Sequence, residues 1–358
     1  MGGRARVVVI DKDPVATYPP SYLWVVNGER RPDAIRRRRD RLARHGVEFV
    51  QAEVRQIDLT NRYVRADSRE FTYDYLVVAV GAETTLDSLP GLAEAGQSLY
   101  TAEGADRLAA ALRYFAGGRV VVAVTGEPYK APGVPYETAM VLEASFHSRR
   151  MRQKVELDVF TPEAVPLAFA GEEAGETVRG LLAHKGIGLH TSRRLTSVDA
   201  QRRELTLDDG SVEPFQLLVA IPEHRAPAVV REAGLTDGTG WVPVDRFSLA
   251  TAHSGVYAIG DAVSISTPNG TLLPKLGTLA QVQGRAVARQ IAWRLKGGKT
   301  PRPFDARASM TLEVGAGAAM ELTGDFLSSR RPLTVKQPSI AWRLTKAAAE
   351  RAWLYRTY

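Results

Sequence analysis

Apolar and polar positions along this chain follow two periods in turn, one near two residues and one near 3.6. Residues Arg6 to Asp11 (RVVVID) form a continuous apolar run closed by an acid, the pattern of a buried parallel strand. YPPSYLWVVNG, residues 18 to 28, predicts a stiff loop rather than a helix because of its paired prolines. From Pro32 to His45 the spacing predicts a helix with Ile35, Leu42 and Ala43 inward and arginines outward, ended by Gly46. Val47 to Gly81 reads as alternating strands with turns at Thr60–Asn61 and Asp67–Ser68. A helix from Ala102 to Phe115 then leads through Gly117–Gly118 to the strand Arg119 to Thr125. Further strands are predicted within Lys154 to Leu167, Gly186 to Leu207 and Phe215 to Pro227.

The stretch from Ser254 to Ile291 organises the rest. A short β-type run, Val256 to Ile259, ends in Gly260–Asp261, and Leu279, Val282, Ala286, Val287 and Ile291 recur at helical spacing after Pro274, Lys275 and Gly277. A strand therefore passes through a loop to a helix start. The unpaired amides and partial positive charge of such a start suit an electron-rich ligand edge. Asp261, beside a glycine that lets backbone approach closely, suits hydrogen bonding to a polyol. Beyond it, Met310 to Phe326 predicts a hairpin, and IAWRLTKAAAERAWLYRTY a terminal helix with basic residues Arg343, Lys346, Arg351 and Arg356 set among apolar ones.

Composition narrows the chemistry. With 358 residues, 44% of them hydrophobic and 24% charged, the chain is of ordinary globular type and long enough for two or three domains. No apolar run approaches the roughly 20 residues of a membrane span, and the first residues carry no signal-like apolar core. The expectation is a cytoplasmic protein, peripheral at the inner face of the cell membrane. The absence of cysteine removes disulfides, thiolate metal sites, iron–sulfur ligation and cysteine redox chemistry together. The six histidines show no metal-ligand spacing, so no metal is expected. A net charge of +7, dense between Arg36 and Arg44 and between Arg149 and Lys154, fits solvated faces better than a nucleic-acid surface.

The Gly260–Asp261 loop and its following helix resemble the second flavin-binding motif of flavoproteins with two dinucleotide-binding domains. DYLVVAVG, residues 74 to 81, resembles the short strand motif that closes the first flavin segment of that group. Asp11 stands where the acid at the end of the second strand bonds an adenosine ribose, and Val54 where backbone groups meet the adenine. The first strand, G-x-G-x-x-G turn and helix of such a domain have no counterpart, since only Met1 to Ala5 precede the first run. Two expectations compete, a start placed downstream of the true one and a natural relic with weakened flavin binding, and the first is favoured. In the second unit the turn after Thr125 lacks closely spaced glycines, which predicts a vestigial nicotinamide domain.

PYKAPGVPYE, residues 128 to 137, is similar to a segment of sulfide:quinone oxidoreductases and of the flavoprotein subunit of flavocytochrome c sulfide dehydrogenases. In those proteins a cysteine that handles sulfur beside the flavin occupies the place of Ala131, and the trailing glutamate corresponds to Glu137. A second family cysteine belongs near Ser309, Met310 and Thr311. The resemblance implies an α/β fold of two Rossmann-like, three-layer ββα-type dinucleotide-binding domains, the second inserted in the first, with a small C-terminal hairpin and helix. The expected boundaries are 1–92 and 221–299 for the flavin domain, 93–220 for the nicotinamide-like domain and 300–358 for the remainder. The implied cofactor is FAD, with NAD(P)H the lesser candidate. Its binding residues would be Asp11, Lys12, Val54, Gly81, Gly260, Asp261, Lys275, Leu276 and Gly277. Glu137 and Lys275 are the candidate catalytic residues, for proton relay and for stabilising reduced flavin. The implied activity is a cysteine-free FAD-dependent oxidation of a small-molecule donor, with a quinone or other electron acceptor. The alternatives are an NAD(P)H:quinone dehydrogenase and an inactive or truncated flavin-fold protein. Membrane contact through the terminal helix and a homodimer are the remaining partner expectations.

Overall fold

The computed structural model describes residues 5–268, 270–328 and 333–356; Met1, on which the expectation about the start rests, and the last two residues of the terminal segment lie outside these. The first apolar run forms the strand Val7–Asp11, paired in parallel with Val47–Gln51 from Val7↔Val47 to Asp11↔Gln51. Leu76–Val78 and Val256–Ala258 form a second parallel pair. Among the described residues these two ribbons are not hydrogen-bonded to each other.

The second unit holds a parallel sheet of five strands in the order Gly96–Gln97, Leu217–Ile221, Gly118–Val124, Val155–Phe160, Gly188–His190. Its central strands are almost wholly apolar because both faces are covered, and every residue from Val120 to Val124 has no exposed surface. One face packs on the helices Ala102–Tyr114, Val134–Ser148 and Glu172–His184. On the other face Leu195, Val198, Leu205 and Leu207 of an antiparallel sheet meet Val121, Ala123, Phe160 and Leu218. This is the three-layer arrangement anticipated from the sequence. The Ala102–Tyr114 helix begins where Thr101 Oγ1 accepts a 2.9 Å hydrogen bond from the Gly104 amide, satisfying an otherwise unpaired helix donor.

The C-terminal part is an antiparallel sheet of Arg307–Gly315, Ala318–Asp325 and Thr334–Ser339, one strand more than the predicted hairpin, followed by the helix Ile340–Arg356. Two expectations fail. Residues 32–45 form no α-helix: they fold as 3-10 turns at Pro32–Ile35 and Arg39–His45 around the strand Arg36–Arg38, which pairs with Val15–Thr17. Only Ile35 of the supposed inner face is buried and Ala43 is exposed, so too little apolar surface is available to dock a helix. Gly46 nevertheless ends the segment in the left-handed conformation. Residues 18–28 contain a 3-10 turn at Pro19–Ser21 and a buried helix, Tyr22–Val26, because the prolines fall in the opening turn, where no amide is needed.

Candidate functional site

The strand Val256–Ala258 ends at the Gly260–Ala262 turn, where Gly260 has φ +74. The Gly260 amide donates to Gln283 Oε1 at 2.6 Å, so a buried side chain of the Gly277–Lys296 helix fixes the turn. Asp261 is half-buried, and no described residue donates a hydrogen bond to its carboxylate. Burial pushes its pKa up, while Lys130 and Lys275 pull it down without cancelling that rise. Lys275 is itself buried. Its ammonium donates to the Asp261 carbonyl at 2.7 Å and the Val263 carbonyl at 3.1 Å, and lies 3.3 Å from the centre of the Trp241 ring. Desolvation lowers its pKa to about 8.

The 126–133 loop closes against this turn. The Ala131 amide donates to the Lys275 carbonyl at 2.9 Å, and Ser309 O accepts from Thr278 Oγ1 at 2.9 Å. Ala131 and Ser309 are thus each bonded beside or within the first turn of the Gly277–Lys296 helix. Lys130 is half-buried with its ammonium 5.6 Å from the centre of the Tyr100 ring, and desolvation lowers its pKa. Tyr100 Oη donates to the Lys130 carbonyl at 2.9 Å. His224 packs edge-on against Tyr100, its Nδ1 on the Pro222 carbonyl at 2.9 Å. Burial, reinforced by Lys130, pushes its pKa down to about 3, so the ring is neutral at physiological pH.

Glu137 lies in the first turn of the Val134–Ser148 helix, buried. Its Oε1 accepts from Lys346 Nζ at 2.6 Å and from the Glu313 amide at 3.0 Å. Lys346 also pairs with Glu313 at 3.2 Å, and Arg343 reaches Glu313 at 3.2 Å and Glu29. Burial raises the Glu137 pKa, Lys346 opposes that rise, and Glu313 adds to it. Lys346, one of the basic residues set among apolar ones in the terminal helix, is buried, and its two carboxylate partners outweigh burial to raise its pKa.

The remaining predicted residues lie at or near strand ends. Asp11 closes the first strand and accepts from the Asp13 amide at 2.9 Å, with Arg39 at 2.8 Å. Lys12 is exposed, Val54 begins a strand opposite Ala66, and Gly81 has φ +71 with open space about it. Gly260, Asp261, Lys275, Leu276 and Gly277 are brought together, whereas no hydrogen bond or ion pair among the described residues joins Glu137 to them. Lys130, Tyr100, His224, Trp241, Glu313 and Lys346 were missed. Lys130 had a local signal in its motif, and the others depend on contacts distant in sequence.

Residues 3–284 match the pyridine nucleotide-disulphide oxidoreductase family. The chain belongs to that family. Mouse mitochondrial sulfide:quinone oxidoreductase is 22% identical over 326 residues, covering 87% of this chain and 71% of the mouse protein. Demethylphylloquinone reductase NdbB of Synechocystis sp. is 25% identical over 273 residues, covering 74% and 64%. The crystal structure of sulfide:quinone oxidoreductase from Aquifex aeolicus superposes with a TM-score of 0.86 at 22% identity, over 98% of this chain and 85% of that one. The last likeness establishes the fold. Membership of the pyridine nucleotide-disulphide oxidoreductases makes this chain an oxidoreductase whose cofactor is FAD. The residues present fit the flavin end of that cofactor: Asp261 offers a half-buried carboxylate without a protein donor, and at Gly260 even an added Cβ would meet nothing nearer than Ala280 at 3.6 Å.

Proposed function

We propose that the protein is an FAD-dependent oxidoreductase of the sulfide:quinone oxidoreductase-like group that draws electrons from a small donor without a protein thiol and delivers them to a quinone-type acceptor. The observation that carries this reading is the seating of Ala131, whose amide is bonded to the Lys275 carbonyl while Glu137 lies in the first turn of the helix just beyond. The loop that serves sulfur chemistry in the resembled enzymes is retained against the flavin-binding turn, and its reactive atom is replaced by a methyl group. When bound, FAD supplies the electron-accepting ring. Asp261 would hold ribityl hydroxyls, and the opening amides of the Gly277–Lys296 helix would offer positive potential to an electron-rich ring edge. Lys275 braces the 261–263 carbonyls and adds positive potential to the same side. Asp11, Lys12, Val54 and Gly81 serve the adenosine half.

Glu137 is the proton-handling residue: its carboxyl, of raised proton affinity, is held in place at 2.6 Å by the Lys346 ammonium, and Arg343 braces Glu313 beside it. Ile340, Leu344 and Tyr355 are exposed on the terminal helix beside Arg351 and Arg356, a combination that suits resting on an anionic membrane surface. No helix among the described residues is long and apolar enough to cross a membrane.

Reconstitution with FAD followed by anaerobic mixing with reduced donors and a soluble quinone tests the proposal. The expected result is stoichiometric flavin binding, reoxidation of reduced flavin by quinone, and no sulfide oxidation. Protein that stays colourless with excess FAD would refute it.

A further inference from the structure

The second unit contains a carboxylate that the proposed chemistry does not use. Val155–Phe160 is the strand that follows Gly118–Val124 in the chain and pairs beside it in parallel, and Glu163 follows three residues after its end. In a dinucleotide-binding unit an acid near this point reads the ribose hydroxyls, and a glycine-rich turn after the first strand leaves the backbone open to the pyrophosphate. Here both features are turned to another use. Glu163 Oε2 accepts from Tyr136 Oη, from Tyr129 Oη at 3.1 Å and from Thr161 Oγ1 at 3.3 Å. The Glu163 amide donates to Thr161 Oγ1 at 3.2 Å and its carbonyl accepts from the Ser192 amide at 3.0 Å, so the residue is held at both ends. At the turn, a Cβ on Gly126 would come within 2.9 Å of the Glu223 side chain, so the space beside the Gly126 Cα is already taken.

The two tyrosines bracket the loop that faces the flavin site. Both are buried, and between them run Lys130, Ala131 with φ +54, Pro132, Gly133, Val134 and Pro135. One carboxylate thus fastens the loop before and after the segment that touches Lys275.

We propose that Glu163 is a positioning residue: by clamping Tyr129 and Tyr136 it makes the second unit a rigid support for the 129–137 loop and closes that unit to pyridine nucleotides. The clamp deepens the reading of the protein as an FAD oxidoreductase, resting on it for the loop's role but not for its own geometry. It narrows the electron donor to molecules other than NAD(P)H. The charged and titratable groups about Glu163 are Tyr129, Tyr136 and Glu127, with Glu223 at the Gly126 turn and His190 behind Thr161, whose amide donates to the His190 carbonyl. Burial raises the Glu163 pKa to about 7, and Glu127 adds to the rise. The folded value lies above the ordinary 4.5, so the contribution to stability is complete below about pH 4.5 and is lost as pH rises through about 7.

The test compares wild type, Glu163→Gln, which keeps an acceptor but cannot titrate, and the Tyr129→Phe/Tyr136→Phe pair, which removes both donors. Thermal midpoints of the FAD-free proteins across this pH range give a readout independent of the cofactor. Wild type should lose stability through about pH 7 while Glu163→Gln shows a flatter profile; identical profiles would overturn the clamp. With FAD bound, the double tyrosine variant should change the visible spectrum of the flavin and weaken FAD binding by about tenfold, and an unchanged spectrum and affinity would overturn the loop-support role. NADH and NADPH at about 1 mM, the upper end of ordinary KM values, should neither bleach the flavin nor bind to wild type. Saturable binding of either would overturn the closure of the second unit. Wild type that binds no FAD would refute the proposed function while the pH comparison still decides the clamp.

Discussion

Two buried lysines, Lys275 and Lys346, show how different surroundings shift the same side chain in opposite directions. Lys275 meets carbonyl oxygens and the face of Trp241 but no carboxylate directly, and its pKa falls to about 8. Lys346 is bonded to one carboxylate and paired with a second, and its pKa rises. Both are almost completely shielded from water, so burial alone does not set the direction. Around Lys275 the matching negative group, Asp261, has a carboxylate to which no side chain or amide among the described residues donates. Around Lys346 the charges are answered from within the chain. The unmet hydrogen-bonding capacity beside the first lysine supports the proposed cofactor site, and the ion pairs at the second join the terminal helix to the helix that carries Glu137.

The largest expected effect comes from breaking the closed network. Lys346→Met leaves Glu137 buried without its cation and Glu313 with Arg343 alone, and should cost about 3–5 kcal/mol in urea unfolding. Adding Glu137→Gln and Glu313→Gln to the same variant should recover much of that loss. A negligible loss in the single variant would erase the distinction between the two lysines. Next, Asp261→Ala should leave FAD-free stability nearly unchanged while weakening FAD binding by about 10- to 100-fold, the equivalent of about 1.5–3 kcal/mol for hydrogen bonds to a charged group. Titration of flavin fluorescence reads it. Thr101→Ala, which removes a helix cap distant from both lysines, should cost about 1 kcal/mol of stability without changing FAD affinity, and calibrates the assay.

The smallest effect is one of slope. The folded-state pKa of Lys275 lies below its ordinary 10.5, so its contribution to stability grows as pH rises from about 8 to 10.5. The folded value of Lys346 lies above 10.5, so its contribution is present below that pH and lost as pH rises through the raised value. Lys275→Met should therefore remove an upward trend in denaturation midpoint that Lys346→Met leaves intact; matching profiles would show that the two surroundings do not differ.

Features written in neighbouring residues were legible in the sequence. The runs at 119–125 and 217–221 announced the central sheet because strands covered on both faces have no polar positions to confuse the pattern. Gly260–Asp261 and the helix after Lys275 were readable for the same reason, as turn, acid and helix start follow one another. The 32–45 segment misled because arginines filled the outward positions of a supposed helix whose inward positions held too few apolar side chains. Lys346 was hidden because nothing in its own neighbourhood distinguishes it from Arg343, Arg351 or Arg356. What makes it different is a partner 209 residues earlier.

That separation bears on how the molecule is assembled during synthesis. A ribosome adds about 5–20 residues per second, so Glu137 is made roughly ten to forty seconds before the lysine that neutralises it. Until then the Glu137 carboxylate of the nascent second unit must stay hydrated or protonated, and Glu313 joins it only when the Arg307–Gly315 strand is made. Docking of the Ile340–Arg356 helix is therefore a natural final step of folding. Cells that slow translation late in the message would prolong a state with an uncovered acidic seam, the interval in which a chaperone has most to offer this chain.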